Sequence, residues 1–188
     1  SELNIDPEML QGKVDGLFET GSVALCGLVK AEYGDRVLED EDFERTIYAM
    51  GTSLVSWVQD LHSGGLFAAD ARVMGMTSEG NEIAWRGYGA VSAAKVSLES
   101  VCRAIALEYG PHGIRANIIQ AGVTDTPALR AIPGNAQMRA VGAMRNPFRR
   151  LTETKDVANF ICLMATDDAA WVNGSLIRVD GGEHIASA

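Results

Sequence analysis

The segment Ile114 to Gln120 (Ile-Arg-Ala-Asn-Ile-Ile-Gln), bounded by Gly113 and Gly122, reads as a buried strand, continuous rather than alternating. A short run of this kind, bounded by turn residues, reads as a strand buried on both faces, as in a parallel sheet covered by helices. Its surroundings agree. Ala71 to Thr77 reads as a strand, Ser78 to Arg86 as a loop, and Gly87 to Tyr109 as a long helix stopped by Gly110-Pro111-His112-Gly113. From Glu41 to His62 apolar residues recur every three or four positions, ending at Ser63-Gly64-Gly65. Thr124 to Leu151 reads as loop with a short helix around Ala136 to Met144. A helix from Thr152 to about Ala165 and a strand from Ser175 to Asp180 follow, and Lys13 to Phe18 is a further candidate strand. Strands alternating with helices define an α/β domain with a parallel sheet.

A chain of 188 residues is expected to form one domain around one core. It contains no run of eighteen apolar residues, which excludes a membrane-spanning helix. The formal charge of −9 argues against nucleic acid or an anionic membrane as the main partner. Cys26, Cys102 and Cys162 lack metal-ligand spacing and read as reduced thiols of a cytoplasmic protein. His62, His112 and His184 are scattered in sequence and read as caps or surface residues, and no metal site is expected.

Tyr88 and Lys95 carry the chemistry. Seven residues make two helical turns, so both side chains fall on one helix face. An ammonium beside a phenol lowers the cost of negative charge on its oxygen, and such a tyrosine serves as an acid or an oxyanion stabiliser. The same spacing also fits a tyrosine that begins a buried helix and a lysine solvated upon it.

Three segments in order resemble the short-chain dehydrogenase/reductase superfamily. They are the strand-loop-helix with Tyr88 and Lys95, the stretch Gly113 to Gly122, and the ending Val179-Asp180-Gly181-Gly182. The superfamily's usual lysine, four positions after the tyrosine, is absent here. Six residues between Tyr and Lys instead resemble the enoyl-acyl-carrier-protein reductase branch, as does the Ser22-Val23-Ala24-Leu25 turn. The resemblance implies a Rossmann-like, doubly wound parallel sheet over 1–188. The N-terminal strands, and the glycine-rich turn that cradles a pyrophosphate, have no counterpart in the sequence, so the domain is expected to be partial at its N-terminus.

By the same resemblance, Tyr88 would hydrogen-bond the carbonyl of an enoyl thioester carried by acyl carrier protein or coenzyme A. A hydride from NADH or NADPH would add to the β-carbon. Lys95 would hold the nicotinamide ribose, Val23 would line it, and Cys26 would lie near the substrate. Thr124, Asp125, Thr126, Pro127 and Ala128 would approach the pyrophosphate. Ser78 stands where the branch often carries a second tyrosine; it is either a hydrogen-bond donor of the site or a loop hydroxyl. A homo-oligomer, a tetramer in the family, is expected, with Val96, Leu98, Val101, Ile105 and Leu107 on the long helix as the apolar stretch that would pair.

The cluster Arg130, Arg139, Arg145, Arg149 and Arg150 has two readings, a landing site for an acidic carrier or a phosphate, and a set of arginines paired with acids elsewhere. Two other functional readings stay open: a carbonyl reductase or alcohol dehydrogenase of the same superfamily, and a cofactor-free remnant that serves as an interaction subunit.

Overall fold

The computed structural model describes residues 37–132 and 134–186. Among them, helix α1 (Asp40–Ile47) runs through a π-helical turn (Tyr48–Thr52) into α2 (Ser53–Ser63). Strand β1 (Ala71–Thr77) leads through a 3-10 turn (Glu79–Asn81) to the long helix α3 (Gly89–Glu108) and strand β2 (Ile114–Ala121). Then come α4 (Pro127–Arg130), α5 (Asn135–Arg145), α6 (Thr154–Met164) and β3 (Leu176–Val179). The candidate strand at Lys13–Phe18 lies outside the described residues.

The three strands form one parallel sheet in the order β1-β2-β3. The strand read as doubly buried occupies its centre. Ala116 and Ile118 point to one side of the pleat, Asn117 and Ile119 to the other, and all four are at most 2% exposed. A parallel arrangement needs long crossovers, which α3 supplies between β1 and β2, and α4 to α6 between β2 and β3. The result is the Rossmann-like α/β architecture expected from the alternating pattern.

The core lies where α2 and α3 meet the sheet: Val58 of α2 and Leu98, Cys102, Ile105 and Ala106 of α3 pack with Ala116 and Ile118. Burial at this interface divides the apolar stretch of α3. Leu98 and Ile105 belong to the core, whereas Val96 is 48% and Leu107 79% exposed. The buried Cys102 thiol is pushed up to about 11, so it is inert as a nucleophile at neutral pH.

One boundary differs from the sequence expectation in a way that matters. Helix α3 starts at Gly89, and Tyr88 stands just outside it with non-helical angles, although its carbonyl accepts the Ser92 N–H at 2.8 Å. The tyrosine is the entry residue of the helix, placed where the chain turns in from the loop after β1. Register then fixes the site. Thr77 pairs with Gln120 and Ala121 with Val179, so the segments leaving all three strands emerge side by side at the carboxyl edge of the sheet. That edge is where open α/β sheets take their ligands.

Among the described residues, no helix is long and apolar enough to cross a membrane.

Candidate active site

A cavity of about 540 Å³ opens at this edge. Ser78 and Gly80 reach it from the segment after β1, Tyr88 and Lys95 from the start of α3, and Gly122, Val123 and Thr124 from the segment after β2. Thr126, Ala128 and Leu129 come from the start of α4, Met138 from α5, and Val157 and Ile161 from α6. Met50 of the π-helical turn, Met76 and Trp85 add apolar wall. The lining is therefore largely hydrophobic with a few hydroxyls, one ammonium and the Glu79 carboxylate, the composition of a small-molecule site.

Tyr88 is held by a close approach. A Cβ on Gly80 would sit 2.4 Å from Tyr88 Cε1, so the ring packs tightly against a bare backbone. Burial raises the phenol pKa, and a hydrogen bond with the Ser78 side chain works the other way. The structure thus changes the electrostatic account. Desolvation governs the phenol, which remains a neutral O–H donor through neutral pH. Ser78 is brought to Tyr88, which makes it a member of the constellation by position.

Lys95 is only 9% exposed, and burial lowers its pKa, with the Glu99 carboxylate one turn further along α3 opposing that shift. Glu99 is itself held by Asn81, whose amide also reaches Gln120 Oε1 at 3.4 Å. Among the described residues no hydrogen-bond partner of the Lys95 ammonium is found, and it faces the cavity with its donors free.

The remaining sequence-derived candidates fall into three sets. Thr124, Thr126 and Ala128 line the cavity beside Tyr88 and Lys95. Asp125 and Pro127 are not among the lining residues. Pro127 opens α4, and Asp125 forms a two-pronged pair with Arg130 at 2.9 and 3.1 Å and meets Arg139 at 3.4 Å. Val23 and Cys26 lie outside the described residues.

The arginine run resolves toward internal pairing. Besides the two arginines on Asp125, Arg145 holds Glu79 through both carboxylate oxygens at 3.0 and 2.9 Å, and Arg150 holds Asp156 at 2.6 Å. Arg149 donates to the Met144 carbonyl at 2.8 Å, at the end of α5. The histidines, scattered in sequence, are partly adjacent in space. His62 and His112 meet edge to face with ring centroids 4.6 Å apart and Tyr109 beside them, while His184 Nε2 lies 3.3 Å from Glu82.

Glu79 and Glu183 form a feature that sequence reasoning missed. Glu183 is 2% exposed and its Oε2 accepts the Val123 N–H at 3.1 Å, directly behind the cavity wall. Its signal in the sequence was a carboxylate placed immediately after Gly181-Gly182, where a chain turn brings residues inward. Its partners, 60 and more positions away, could not be read.

A parallel sheet with Tyr, Lys and Ser gathered beside the segment after its middle strand defines the short-chain dehydrogenase/reductase class. Comparison with known proteins narrows it: residues 8–184 match the family described as "Enoyl-(Acyl carrier protein) reductase", and the chain belongs to that family. Relatives are of mixed activity. The chain is 40% identical over 91 residues to cis-4-hydroxycyclohexanecarboxylate dehydrogenase of Sinomonas cyclohexanicum, covering 48% of this chain and 36% of that protein. It is 36% identical over 108 residues to the NADH-dependent enoyl-[acyl-carrier-protein] reductase of Escherichia coli K12, covering 57% and 41%. Among solved structures, the enoyl-acyl carrier protein reductase of Bacillus cereus, in complex with NADP+ and indole naphthyridinone, superposes with a TM-score of 0.75. The two are 26% identical over 85% of this chain and 60% of that one. The chain thus spans less than two thirds of the length of each of these relatives.

Proposed function

We propose that this chain carries the substrate-facing half of an NADH- or NADPH-dependent reductase that saturates the 2,3 double bond of an enoyl thioester. The observation that carries the reading is the convergence of Tyr88, Ser78 and Lys95 with Thr124 and Thr126 on one largely apolar cavity. Membership in the enoyl reductase family supports it.

The residues present suit the nicotinamide end of a dinucleotide. Lys95 offers an ammonium with free donors at the cavity wall, and Thr124, Thr126 and Ala128 supply hydroxyls and short side chains for close approach. Asp125 and Pro127 belong to the same segment and shape it from behind. By the family resemblance, Val23 would serve the nicotinamide ribose and Cys26 the substrate; both lie outside the described residues. When bound, the dinucleotide supplies a hydride.

The chain's own residues do the rest. Trp85, Met50, Met76 and the apolar faces of α4 to α6 exclude water and accept an acyl chain, which strengthens every electrostatic interaction inside. Tyr88, kept neutral by burial, donates its O–H to the thioester carbonyl oxygen, where charge develops as the β-carbon is reduced. Ser78, which lines the cavity beside Tyr88, steadies the donor. Lys95 adds positive potential beside the developing enolate.

A second reading, reduction of a ketone, draws on one observation. Ser78 and Tyr88 are close enough to interact, and two hydroxyl donors on one oxygen would suit a carbonyl that becomes an alkoxide. Crotonyl and acetoacetyl thioesters assayed side by side separate the two.

Tyr88→Phe is the direct test. Loss of the donor is expected to lower turnover of crotonyl thioester roughly 10²- to 10³-fold, with the circular dichroism spectrum unchanged. An unaltered rate would remove Tyr88 from the mechanism.

In this reading the reductase serves fatty acid synthesis in the cytoplasm, its substrate arriving on acyl carrier protein or coenzyme A. Val96 and Leu107, apolar and exposed on α3, are the surface through which a tetramer would assemble.

A further inference from the structure

Gly122 and Val123 form part of the cavity wall, and both the N–H and the carbonyl of Val123 are held. Thr152 N–H donates to the Val123 carbonyl at 3.1 Å, and Glu183 Oε2 accepts the Val123 N–H at 3.1 Å. The approach is so close that a side chain at Gly122 is excluded. A Cβ there would lie 2.5 Å from Thr152 Oγ1 and 2.8 Å from Glu183 Oε2.

An ionisable acid is an expensive choice for this position. A glutamine oxygen would accept the same N–H without a buried charge. The charges around Glu183 make the choice more conspicuous. Glu79, after β1, and Asp180, after β3, both oppose its ionisation; Arg145 of α5 favours it, yet its Nη1 is engaged by both oxygens of Glu79 and its Nε by the Ala186 carbonyl. What a carboxylate gains is a charge-assisted bond to the Val123 N–H, about twice as strong as a neutral one.

We propose that Glu183 is a positioning residue of the active site: its carboxylate pins the Gly122–Val123 peptide, and so fixes the start of the Thr124–Ala128 segment against which a ligand in the cavity must lie. That the ligand is a nicotinamide dinucleotide rests on the reductase reading; the pinning itself does not.

Two measurements test it. The first uses no cofactor. In the intact chain labelled with ¹⁵N, the Val123 amide resonance should move as pH falls from about 7 to about 4, following the Glu183 carboxylate, which burial makes titrate above the ordinary glutamate range. In Glu183→Gln the same resonance should stay put. The second is fluorescence titration with NADH. Glu183→Ala should weaken binding about tenfold, whereas Glu183→Gln, which keeps the acceptor, should recover most of that loss. A Val123 resonance indifferent to pH in the unaltered chain overturns the proposal, as does NADH binding by Glu183→Ala at wild-type strength. Should Glu183→Ala fail to fold, the amide titration still decides. If the unaltered chain binds no NADH, the reductase reading falls, and the amide titration alone judges the pinning.

Discussion

At the scale of single residues, the site depends on contacts made by atoms that are absent. Gly80 lies against the Tyr88 ring, and a methyl group there would meet Cε1 at 2.4 Å. Gly80→Ala is expected to destabilise the fold by about 1–3 kcal/mol through overpacking and, if the proposed reaction holds, to lower turnover further by displacing the phenol. Urea unfolding and a steady-state assay on one preparation separate the two effects; a fully active Gly80→Ala would show that the ring tolerates displacement. The Tyr88 and Lys95 pair was legible in the sequence because helical spacing dictates it. The state of the phenol was not, since burial is a property of everything packed around it and here outweighs the opposing effect of Ser78. Ser78 gained its place in the same way, through a loop that folds back onto the start of α3.

At the scale of elements, the sequence pattern located strand β1 to the residue and strand β2 to within one, because apolar runs between glycine and proline breaks leave little choice. The start of α6 was placed two residues early, at Thr152. In the structure Glu153 caps the helix, with its own N–H donating to Asp156 Oδ2 at 2.8 Å, and Thr152 is instead buried against the segment after β2. The Asp156 carboxyl is held down to about 2, chiefly by its hydrogen bonds to Arg150 and then to the Glu153 N–H. A depressed carboxyl pKa contributes stability that is present above its unfolded value and lost as pH falls through its folded value. The contribution of this cap should therefore fade between about pH 4 and pH 2. Asp156→Asn should flatten that part of the acid unfolding curve. The site is exposed, so added salt should shrink the difference between the two proteins, and a salt-independent difference would argue against the ion pair. The cavity's apolar wall was beyond sequence reasoning for a related reason. Met50, Trp85, Met138 and Ile161 come from four separate segments and share nothing in sequence that marks them as neighbours.

At the scale of the whole molecule, the mutual neutralisation of the arginine run has a consequence for encounter kinetics. With Arg130, Arg139, Arg145 and Arg150 each bound to a carboxylate, little positive field remains to offset a formal charge of −9. An anionic thioester carrier approaching from solution would meet net repulsion at long range and attraction only on contact. Raising ionic strength from about 10 to about 150 mM shortens the reach of that repulsion from roughly 30 Å to roughly 8 Å. The apparent KM for a carrier-bound substrate should then fall with salt, while that for a short neutral thioester stays level. The opposite trend would reveal a basic landing patch. If the expected trend holds, the ionic atmosphere sets how often a carrier arrives, and the chemistry of the cavity decides only what happens afterwards.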